Sequence, residues 1–566
     1  MSLIGALNIG KSALAVQQAA LQVTGNNIAN AGNADYTRQT SSIVPNRDQQ
    51  ISPNVFLGTG VNLTAVQRQI DEALQSRLRS ATSDSTGAAA AEQWISRIEA
   101  IFNELGDQDL STQLSAFFAS WSSLANKPQD VGLRQVVIQS GQAVASWFQQ
   151  LRGQLDSLLQ DLDGRQRGLA LDANSLAQQV ADLNSQIVLA EAGGRGQANG
   201  LRDQRDAALG RLAELMDIRT VDTGDGMINV LVGSEPLVVG TDNRGVRLRE
   251  GSVDGQLVAT PVFARDGGTI RVASGQMGAL GGVREQIDSV LRNLDALASN
   301  LIFELNKLHA SGQGLGGYST TTAANSVNST TAALNSAAAG LHHLPANGSF
   351  VLHVRQTATG LVSSTLVQVD LDGLNGDDTT LESLRADIDA IDGVSASINA
   401  GKLTIRADGA DIQFTFSQDT SGVLAALGIN TFFTGSTARN IAVSQSIVAA
   451  PTFLAAARNG EPADNQTALA IAALESVPLA ALSGISLKDS YQQMINTVAV
   501  SASGARTNAE ASRILKETLQ AQREALSGVS LDEEAVNLMR QQRAFQGAAR
   551  LIAAVDELMR TLLQLV

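Results

Sequence analysis

The chain has 566 residues, which is enough for about three to five domains of ordinary size. It carries 40 Lys and Arg against 55 Asp and Glu, a formal net charge of -15 that disfavours nucleic acid as a partner. The absence of cysteine excludes disulfides, thiolate metal sites and cysteine nucleophiles. Only 4% of the residues are aromatic, so Ala, Leu, Val and Ile must build the cores.

The first residues of the chain do not have the pattern of a secretory signal or a membrane span. A signal peptide needs a basic start, a continuous apolar stretch and a small-residue cleavage site. Between Lys11 and Asp35 the sequence has no charge, yet Gln and Asn interrupt it repeatedly. No run of eighteen apolar residues occurs elsewhere. We therefore expect a chain with no cleaved signal peptide and no membrane partner.

Helical periodicity and the scarcity of proline predict long helices around two strand-rich regions. No proline occurs between Pro128 and Pro236 or after Pro478. The predicted helices cover 66–102, 110–124, 131–190, 201–216 and 277–309, and helix resumes near Ser444. Alternating apolar residues predict strands within 218–274 and at 350–354, 364–369, 402–405 and 412–416, with a short helix at 381–391.

Residues 311–347 consist mainly of Ser, Thr, Ala, Asn and Gly, which predicts a surface linker at a domain boundary with flexible glycines at 312–317. The succession of elements predicts a mainly α fold with inserted β-rich regions, arranged as an elongated multi-domain rod with discontinuous domains. The predicted domains are a terminal coiled coil of 1–45 with 525–566, a helical rod of 46–345 with 441–524 that includes a β-rich element at about 218–275, and an inserted β-rich surface domain at 346–440.

Both ends of the chain carry a seven-residue apolar repeat, which is typical of coiled-coil helices. In the last helix the repeat comprises Leu531, Leu538, Phe545, Ile552, Met559 and Val566, and the companion position holds Glu534, Gln541, Ala548, Val555 and Leu562. At the start, one stripe comprises Leu7, Leu14, Leu21 and Ile28, and a second comprises Ile9, Ala13, Val16, Ala20 and Val23. An intramolecular bundle would explain this periodicity too. Because two stripes can face two neighbours, we expect the repeats to pair the terminal helices and to form an assembly interface between subunits.

The sequence beside the first helix resembles the signature of bacterial flagellar rod, hook and hook-associated proteins. The residues that carry the resemblance are Asn26-Asn27-Ile28-Ala29-Asn30-Ala31 and Tyr36-Thr37-Arg38-Gln39. Further similarity lies in Gly58-Thr59-Gly60-Val61 and in the stretches 201–206 and 527–534. Where the family usually has Thr-Pro-Gly before the tyrosine, this chain has Asn33-Ala34-Asp35.

The resemblance implies an extracellular structural subunit of the bacterial flagellum, placed at the junction between hook and filament and required for filament assembly. It implies four partners: further copies of the chain in a ring or helix, the hook protein, the next hook-associated protein toward the filament, and a cytoplasmic chaperone on the C-terminal helix. Export would use the flagellar type III apparatus. Another axial protein of the hook, rod or filament is the nearest alternative, followed by a surface enzyme or an adhesin.

Three groups of residues suggest ligand chemistry, but each fits a structural interpretation better. Residues 5–12 match the P-loop pattern, yet only four residues precede them, too few for the strand that a P-loop follows. Side chains at adjacent positions diverge, so His342 and His343 are expected to form a surface pair without a metal. The acidic segment 370–378 has Leu374 where a calcium loop needs an oxygen ligand. We expect no cofactor, no metal and no catalytic residue.

Overall fold

The computed structural model describes residues 3–52, 55–103, 109–194, 196–253, 256–461 and 463–564. More than half of the chain is helical, and small antiparallel sheets are inserted between the helices, so the predicted mainly α fold with β-rich regions is confirmed. Contacts divide the chain into two compact units. Unit 1 comprises Met1–Trp94, Asp161–Arg284 and Ser503–Val566, and unit 2 comprises Ile95–Gln160 and Glu285–Ala502. The finer domain boundaries given above stay a prediction.

The described part of the chain contains twelve α-helices and eighteen strands. The helices are α1 Leu3–Ala29, α2 Glu72–Asn103, α3 Leu110–Asn126, α4 Val131–Glu191, α5 Asn199–Leu215, α6 Gly275–Ala310, α7 Leu381–Asp389, α8 Val423–Leu427, α9 Gln445–Ala449, α10 Gln466–Ala473, α11 Leu487–Ser527 and α12 Leu531–Gln564. The strands are β1 Gln39–Pro45, β2 Gln49–Ser52, β3 Val55–Leu57, β4 Val61–Arg68, β5 Ile218–Asp222, β6 Ile228–Val232, β7 Glu235–Val239, β8 Asp242–Asn243, β9 Val246–Val253, β10 Gln256–Phe263, β11 Thr320–Thr322, β12 Gly348–Gln356, β13 Val362–Val369, β14 Val394–Asn399, β15 Lys402–Ala407, β16 Ile412–Ser417, β17 Phe433–Thr434 and β18 Ala442–Val443.

The long helices follow the proline-free tracts, as predicted. α4 runs for 61 residues without a break, because no residue in it removes a backbone donor. One predicted boundary is wrong: residues 66–68 belong to β4, where Val66 pairs with Ser41 of β1, and α2 starts only at Glu72. None of the described helices is long and apolar enough to cross a membrane.

The β-rich element of unit 1 is fastened to the helices by a buried asparagine. Strands β5 to β8 form a four-stranded meander in chain order. The side chain of Asn184, on α4, donates to the carbonyls of Ile228 at 2.8 Å and Gly240 at 2.6 Å, and its oxygen accepts from Arg205 of α5 at 2.9 Å. Asn184 has no exposed surface. Such a group is tolerated inside a protein only when its hydrogen bonds are made, so these bonds fix where the sheet lies on the helices.

The β-rich part of unit 2 contains two three-stranded sheets, in the orders β13-β12-β16 and β11-β15-β14. Alternate residues of these strands point into a common core that includes Phe350, Leu352, Phe414 and Phe416. Helix α7 adds three buried residues to that core, and Thr380 and Ser383 form a capping box at its start. The predicted strands of this region are therefore present.

The interpretation of residues 311–347 as a surface linker is wrong. Several of its large residues are buried, among them Tyr318, Val327, Leu334 and Leu341. Its backbone is paired as well: Ala323 N–H donates to a carbonyl of β15 at 2.7 Å, and β11 lies antiparallel to the same strand. Composition does not reveal that the segment is part of the core, because it has little apolar surface. A few widely spaced buried side chains and backbone hydrogen bonds hold it in place.

The glycines of this segment are required by close packing, so the prediction that they are flexible is also wrong. A Cβ atom on Gly312 would lie 2.5 Å from the hydroxyl of Thr467, and one on Gly314 would collide with the carbonyl oxygen of Thr452. The chain passes its neighbours here at a distance that only glycine permits.

A buried polar network ties the sheets of unit 2 to α6. The ring of His309 bonds to the carbonyl of Asn430 through Nδ1 at 2.8 Å, and its Nε2 accepts the Ala455 N–H at 2.9 Å. The Asn430 side chain in turn accepts from the Tyr318 hydroxyl at 3.0 Å. Burial lowers the pKa of His309 to about 4, so the ring is neutral at pH 7.

Replacing Asn306 by alanine should destabilise unit 2. Its buried amide pairs with the Phe433 backbone in both directions, at 2.9 Å to the carbonyl and 3.0 Å from the N–H. Removing it leaves both backbone groups unsatisfied, which costs about 2 to 4 kcal/mol in the free energy of unfolding. Urea denaturation measures this. Asn300→Ala, on the exposed side of the same helix, is the control and should change stability by less than about 0.5 kcal/mol.

Acid should destabilise the folded chain through His309. Its pKa is near 6.5 when unfolded and about 4 when folded. Between these values the unfolded state binds the extra proton, so stability is complete above pH 6.5 and falls as the pH drops toward 4. His309→Gln keeps a donor and an acceptor but does not titrate. At pH 5 the variant should take up about one proton fewer on unfolding, measured from the pH dependence of its urea midpoint. An unchanged slope would contradict the assignment.

Candidate assembly site at the paired chain ends

Helices α1 and α12 pack against each other in an antiparallel arrangement. Asn27 donates to Glu534 at 3.1 Å, and Thr24 donates to Gln541 at 2.9 Å. Further along the pair, Gly10 lies so close to Ile552 that an added Cβ would come within 2.8 Å of the isoleucine Cγ1. The sum of the paired residue numbers stays nearly constant, as an antiparallel register requires. The predicted pairing of the terminal helices is therefore present within one chain.

The most buried line of this pair consists of small and polar residues. On α1 it comprises Gly10, Val16, Ala20, Thr24 and Asn27, and on α12 it comprises Glu534, Ala548 and Val555. Small side chains bring the two backbones close together, while the polar ones bond to each other across the pair. A polar pair at a coiled-coil seam selects one register, because any shift leaves a buried polar group unsatisfied.

The described interface residues predicted from sequence are half-buried, except one. The half-buried ones are Leu7, Leu14, Leu21, Ile28, Leu538, Phe545, Ile552 and Met559. Leu531 is 56% exposed, and Val566 lies outside the described residues. The half-buried residues flank the buried line of the pair, and the role of the whole set between subunits stays a prediction.

Asn27 of the family motif is the centre of a hydrogen-bond network. Its side-chain oxygen accepts from the Tyr36 hydroxyl at 2.8 Å and from the Gln39 N–H at 3.0 Å. Its amide donates to the Gln39 carbonyl at 2.9 Å and to Glu534. All four bonding positions of the amide are thus filled. Burial, reinforced by the charges of Asp203 and Glu534, raises the pKa of Tyr36 to about 12, so its hydroxyl remains a donor.

Arg38, a second motif residue, neutralises the buried carboxylate of Glu534. Its guanidinium bonds Glu534 Oε1 through Nε at 2.9 Å and Nη2 at 2.7 Å, and reaches Glu533 at 2.8 Å. Glu534 is only 2% exposed, so an unpaired charge there would be very costly. At the start of α12 the Glu533 N–H donates to the Ser530 hydroxyl at 3.4 Å, and the Glu533 carboxylate faces Arg38.

The other motif residues play local structural roles. Asn26 and Ala29 lie on the exposed side of α1, and the Asn30 side chain bonds back to the carbonyl of Asn26 at 2.9 Å. In place of the family's Thr-Pro-Gly, Asn33 forms an Asx turn, in which its side chain accepts the Asp35 N–H at 3.1 Å. A side chain–backbone hydrogen bond thus shapes the turn that proline would otherwise fix.

Charged residues of the stretch 201–206 join the strands after α1 to the helical body of unit 1. Arg68 of β4 bonds Asp203 at 2.9 Å and Asp206 at 2.6 Å. Burial raises the pKa of Asp203 above its usual range, although the bond to Arg68 opposes the shift. Arg202 pairs with Glu191 at 2.8 Å. The charges of this stretch are therefore structural.

Two segments weighed for ligand chemistry have clear conformations. Residues 5–12, which match the P-loop pattern, lie within the continuous helix α1, so they do not form a phosphate-binding loop. Carboxylate oxygens of Asp370, Asp372 and Asp378 lie within 4.8 Å of one another. They accept backbone N–H groups of their own turn, such as that of Leu374 at 2.7 Å, as an acidic turn requires.

Two parts of the chain match known protein families. Residues 95–323 match the family described as "Flagellar hook-associated protein FlgK helical domain". Residues 521–565 match "Flagellar basal body rod FlgEFG protein C-terminal", a range that includes all of α12.

Relatives and a solved structure are similar to the chain over large parts of its length. Flagellar hook-associated protein 1 of Escherichia coli (strain K12) is 24% identical over 585 residues, covering 99% of both chains. The protein of that name from Bacillus subtilis (strain 168) is 33% identical over 238 residues, 41% of this chain and 46% of the relative. The flagellar hook junction protein FlgK from Burkholderia pseudomallei has a TM-score of 0.49 and 16% identity, over 80% of this chain and 100% of that one.

The paired terminal helices and the two family matches indicate the class of flagellar axial proteins. The relative from E. coli aligns over 99% of both chains, so the chain is similar to flagellar hook-associated protein 1 over nearly its whole length. The resemblance predicted from the motifs is confirmed.

Asn27→Ala should loosen the paired ends. It removes all four bonds of the amide and leaves the Tyr36 hydroxyl and the Gln39 backbone groups without this partner, while Glu534 keeps Arg38, at a cost of about 2 to 4 kcal/mol. Amide hydrogen exchange of α1 should accelerate accordingly. Asn26→Ala, one residue away and exposed, is the matched control and should leave exchange unchanged. Equal effects of the two variants would contradict the role given to Asn27.

Proposed function

We propose that this chain is a structural subunit of the bacterial flagellum that forms the junction between hook and filament and that filament assembly requires. Similarity to flagellar hook-associated protein 1 supports the role. The main observation in favour of this role is that α12 has two apolar sides. One side packs against α1, while the other remains exposed. A helix with a second apolar side is suited to assembly with neighbouring subunits.

The exposed side of α12 forms a continuous stripe. Its large members are Leu551, Leu558 and Leu562, which are 41%, 56% and 52% exposed, and Ala544, Gly547 and Ala554 lie between and before them. Each interval is three or four residues, which places these side chains on one helical face. Burying each half-exposed leucine contributes on the order of 1 kcal/mol. The contribution is modest for one chain and adds up when every subunit repeats the contact.

The partners follow from this stripe and from the family. Copies of the chain in a ring or helix would cover the stripe, and the hook protein and the next hook-associated protein would bind the two ends of that assembly. A cytoplasmic chaperone that covers the C-terminal helix before export would shield the same leucines. Export through the flagellar type III apparatus, without a cleaved signal peptide, is consistent with a chain that has no disulfide to constrain it.

A structural role without catalysis also agrees with how the charged groups are used. The carboxylates and guanidinium groups of the candidate site pair with one another, as in Arg38 with Glu534 and Arg68 with Asp203. Arg134, a buried cation in unit 2, bonds the backbone carbonyls of Pro128 and Leu454. These groups stabilise the fold.

Leu558→Asp tests the assembly surface. The residue is 56% exposed, so a carboxylate there stays hydrated in the free chain and thermal unfolding should be unchanged. In the assembly the charge would be buried without a partner. We expect cells that carry the variant to build hooks, release flagellin into the medium and fail to swim. Motility assays and electron microscopy of the hooks check this.

Two further variants sharpen the test. Gln546→Asp adds the same charge at an exposed position away from the stripe and should leave motility intact. Ile552→Asp places the charge against Gly10 inside the pair, so it should lower the stability of the free chain as well as stop assembly. Normal filaments with Leu558→Asp, or equal defects with Gln546→Asp, would refute the proposed surface.

A further inference from the structure

Two adjacent histidines converge on one hydroxyl group, contrary to the divergence expected from sequence. The Nε2 atoms of His342 and His343 each lie 2.9 Å from Oγ of Ser299, on α6. The rings are 4.8 Å apart and nearly perpendicular. His343 is stacked on Phe303 of the same helix, at 4.1 Å and nearly parallel, so its ring is held in place. All of these residues belong to unit 2.

This arrangement brings three donor atoms of two separate segments to one point. A serine hydroxyl carries one proton, so it can donate to only one imidazole and must accept from the other. One ring nitrogen therefore accepts the serine proton, and the other donates its own. A metal ion could replace this arrangement and bind both imidazole nitrogens together with the hydroxyl oxygen.

We propose that Ser299, His342 and His343 form a binding site for a divalent transition-metal ion. Imidazole nitrogen with hydroxyl or water oxygen is a donor set that suits Cu²⁺, Ni²⁺ and Zn²⁺. Ligand atoms about 2.05 Å from a metal lie about 2.9 Å apart at right angles and about 3.3 Å apart at tetrahedral angles. The observed oxygen–nitrogen distances of 2.9 Å are hydrogen-bond lengths that already bring the ligand atoms near both spacings, and the general affinity order of divalent ions at nitrogen and oxygen sites places Cu²⁺ first. Water would complete the coordination.

A lysine on the same helix as Ser299 affects the charge balance of the proposed site. Lys307 adds a nearby positive charge that opposes cation binding. Its ammonium group is paired with Glu304 at 3.1 Å, which offsets much of that repulsion.

The rest of the chain offers little competition for such an ion. It has no cysteine and only four histidines. Both nitrogens of His309 are engaged in the buried network, and both nitrogens of His353 bond serine hydroxyls at 2.7 Å, those of Ser364 and Ser417. His353 therefore contacts serine hydroxyls, as His342 and His343 do, but it is a single imidazole between two serines. It provides a matched control.

Metal binding would link two parts of unit 2 that are distant in sequence. Residues 341–347 lead from the buried Leu341 into β12, while Ser299 is on α6. An ion bound only by the folded arrangement stabilises it in proportion to its concentration. The site would thus add a metal-dependent clamp between the sheets and the helix.

The experiment uses the full-length chain without a histidine tag. Calorimetric titration with CuCl₂, NiCl₂ and ZnCl₂ at pH 7.5 should show one equivalent bound with a micromolar Kd, Cu²⁺ or Ni²⁺ tighter than Zn²⁺, and a raised Tm. His342→Gln and His343→Gln should each weaken binding by about tenfold or more, and Ser299→Ala should weaken it less. His353→Gln should leave binding unchanged. Circular dichroism verifies that each variant is folded, and His342 is exposed enough to tolerate replacement.

Three outcomes would overturn the proposal. The first is the absence of binding at millimolar metal by the folded parent chain. The second is unchanged binding in the double variant His342→Gln, His343→Gln, which would assign the ion to other groups such as the acidic turn at 370–378. The third is an equal loss in His353→Gln. If His343→Gln unfolds because its stacking on Phe303 is lost, the exposed His342→Gln decides the matter alone.

Discussion

The carboxylate of Glu534 is the point on which the arrangement of unit 1 depends. It is buried, it receives Asn27 from the first helix and Arg38 from the segment that follows, and it belongs to the last helix. A buried charge persists only when its partners are fixed. The contact therefore sets the register of α1 on α12, and the strands after α1 are then held by Arg68 on the aspartates of α5. Every other element is inserted between two ends that are joined here.

The sequence predicted the pairing of the ends but not the line along which they meet. Periodicity counts apolar residues, and the seven-residue repeat therefore drew attention to Leu538, Phe545 and Ile552. The structure puts them beside a line of small and polar residues instead. The informative signal was the interruption of the companion position by Glu534 and Gln541, because α1 carries two polar residues, Asn27 and Thr24, where the partner helix requires them. When polar residues interrupt the apolar repeats of two helices at matching positions, they are as informative about helix pairing as the repeats themselves.

Sequence patterns predicted the elements in which one apolar periodicity runs through the whole segment. They failed where a few isolated buried side chains hold a segment in place. The long helices and the strands of both β-rich regions follow from proline positions and alternation. Residues 311–347 have neither the helical nor the strand periodicity of apolar residues. Tyr318 and Leu334 are buried there at irregular spacing among small polar residues. The convergence of His342 and His343 was not predicted from the sequence, for a related reason. A rule for adjacent side chains holds in regular helix or strand, and this segment is neither.

The distance along the chain between the paired helices has a kinetic consequence. Thr24 and Gln541 are separated by 517 positions, so their contact closes a loop of nearly the whole chain. Contacts of such high order form slowly, because the entropy of closure is lost before any bond compensates for it. The hairpins and helical segments between them rely on much shorter separations and can form first. Joining the ends is therefore expected to be the last step of folding, and a partner that holds either end can postpone it.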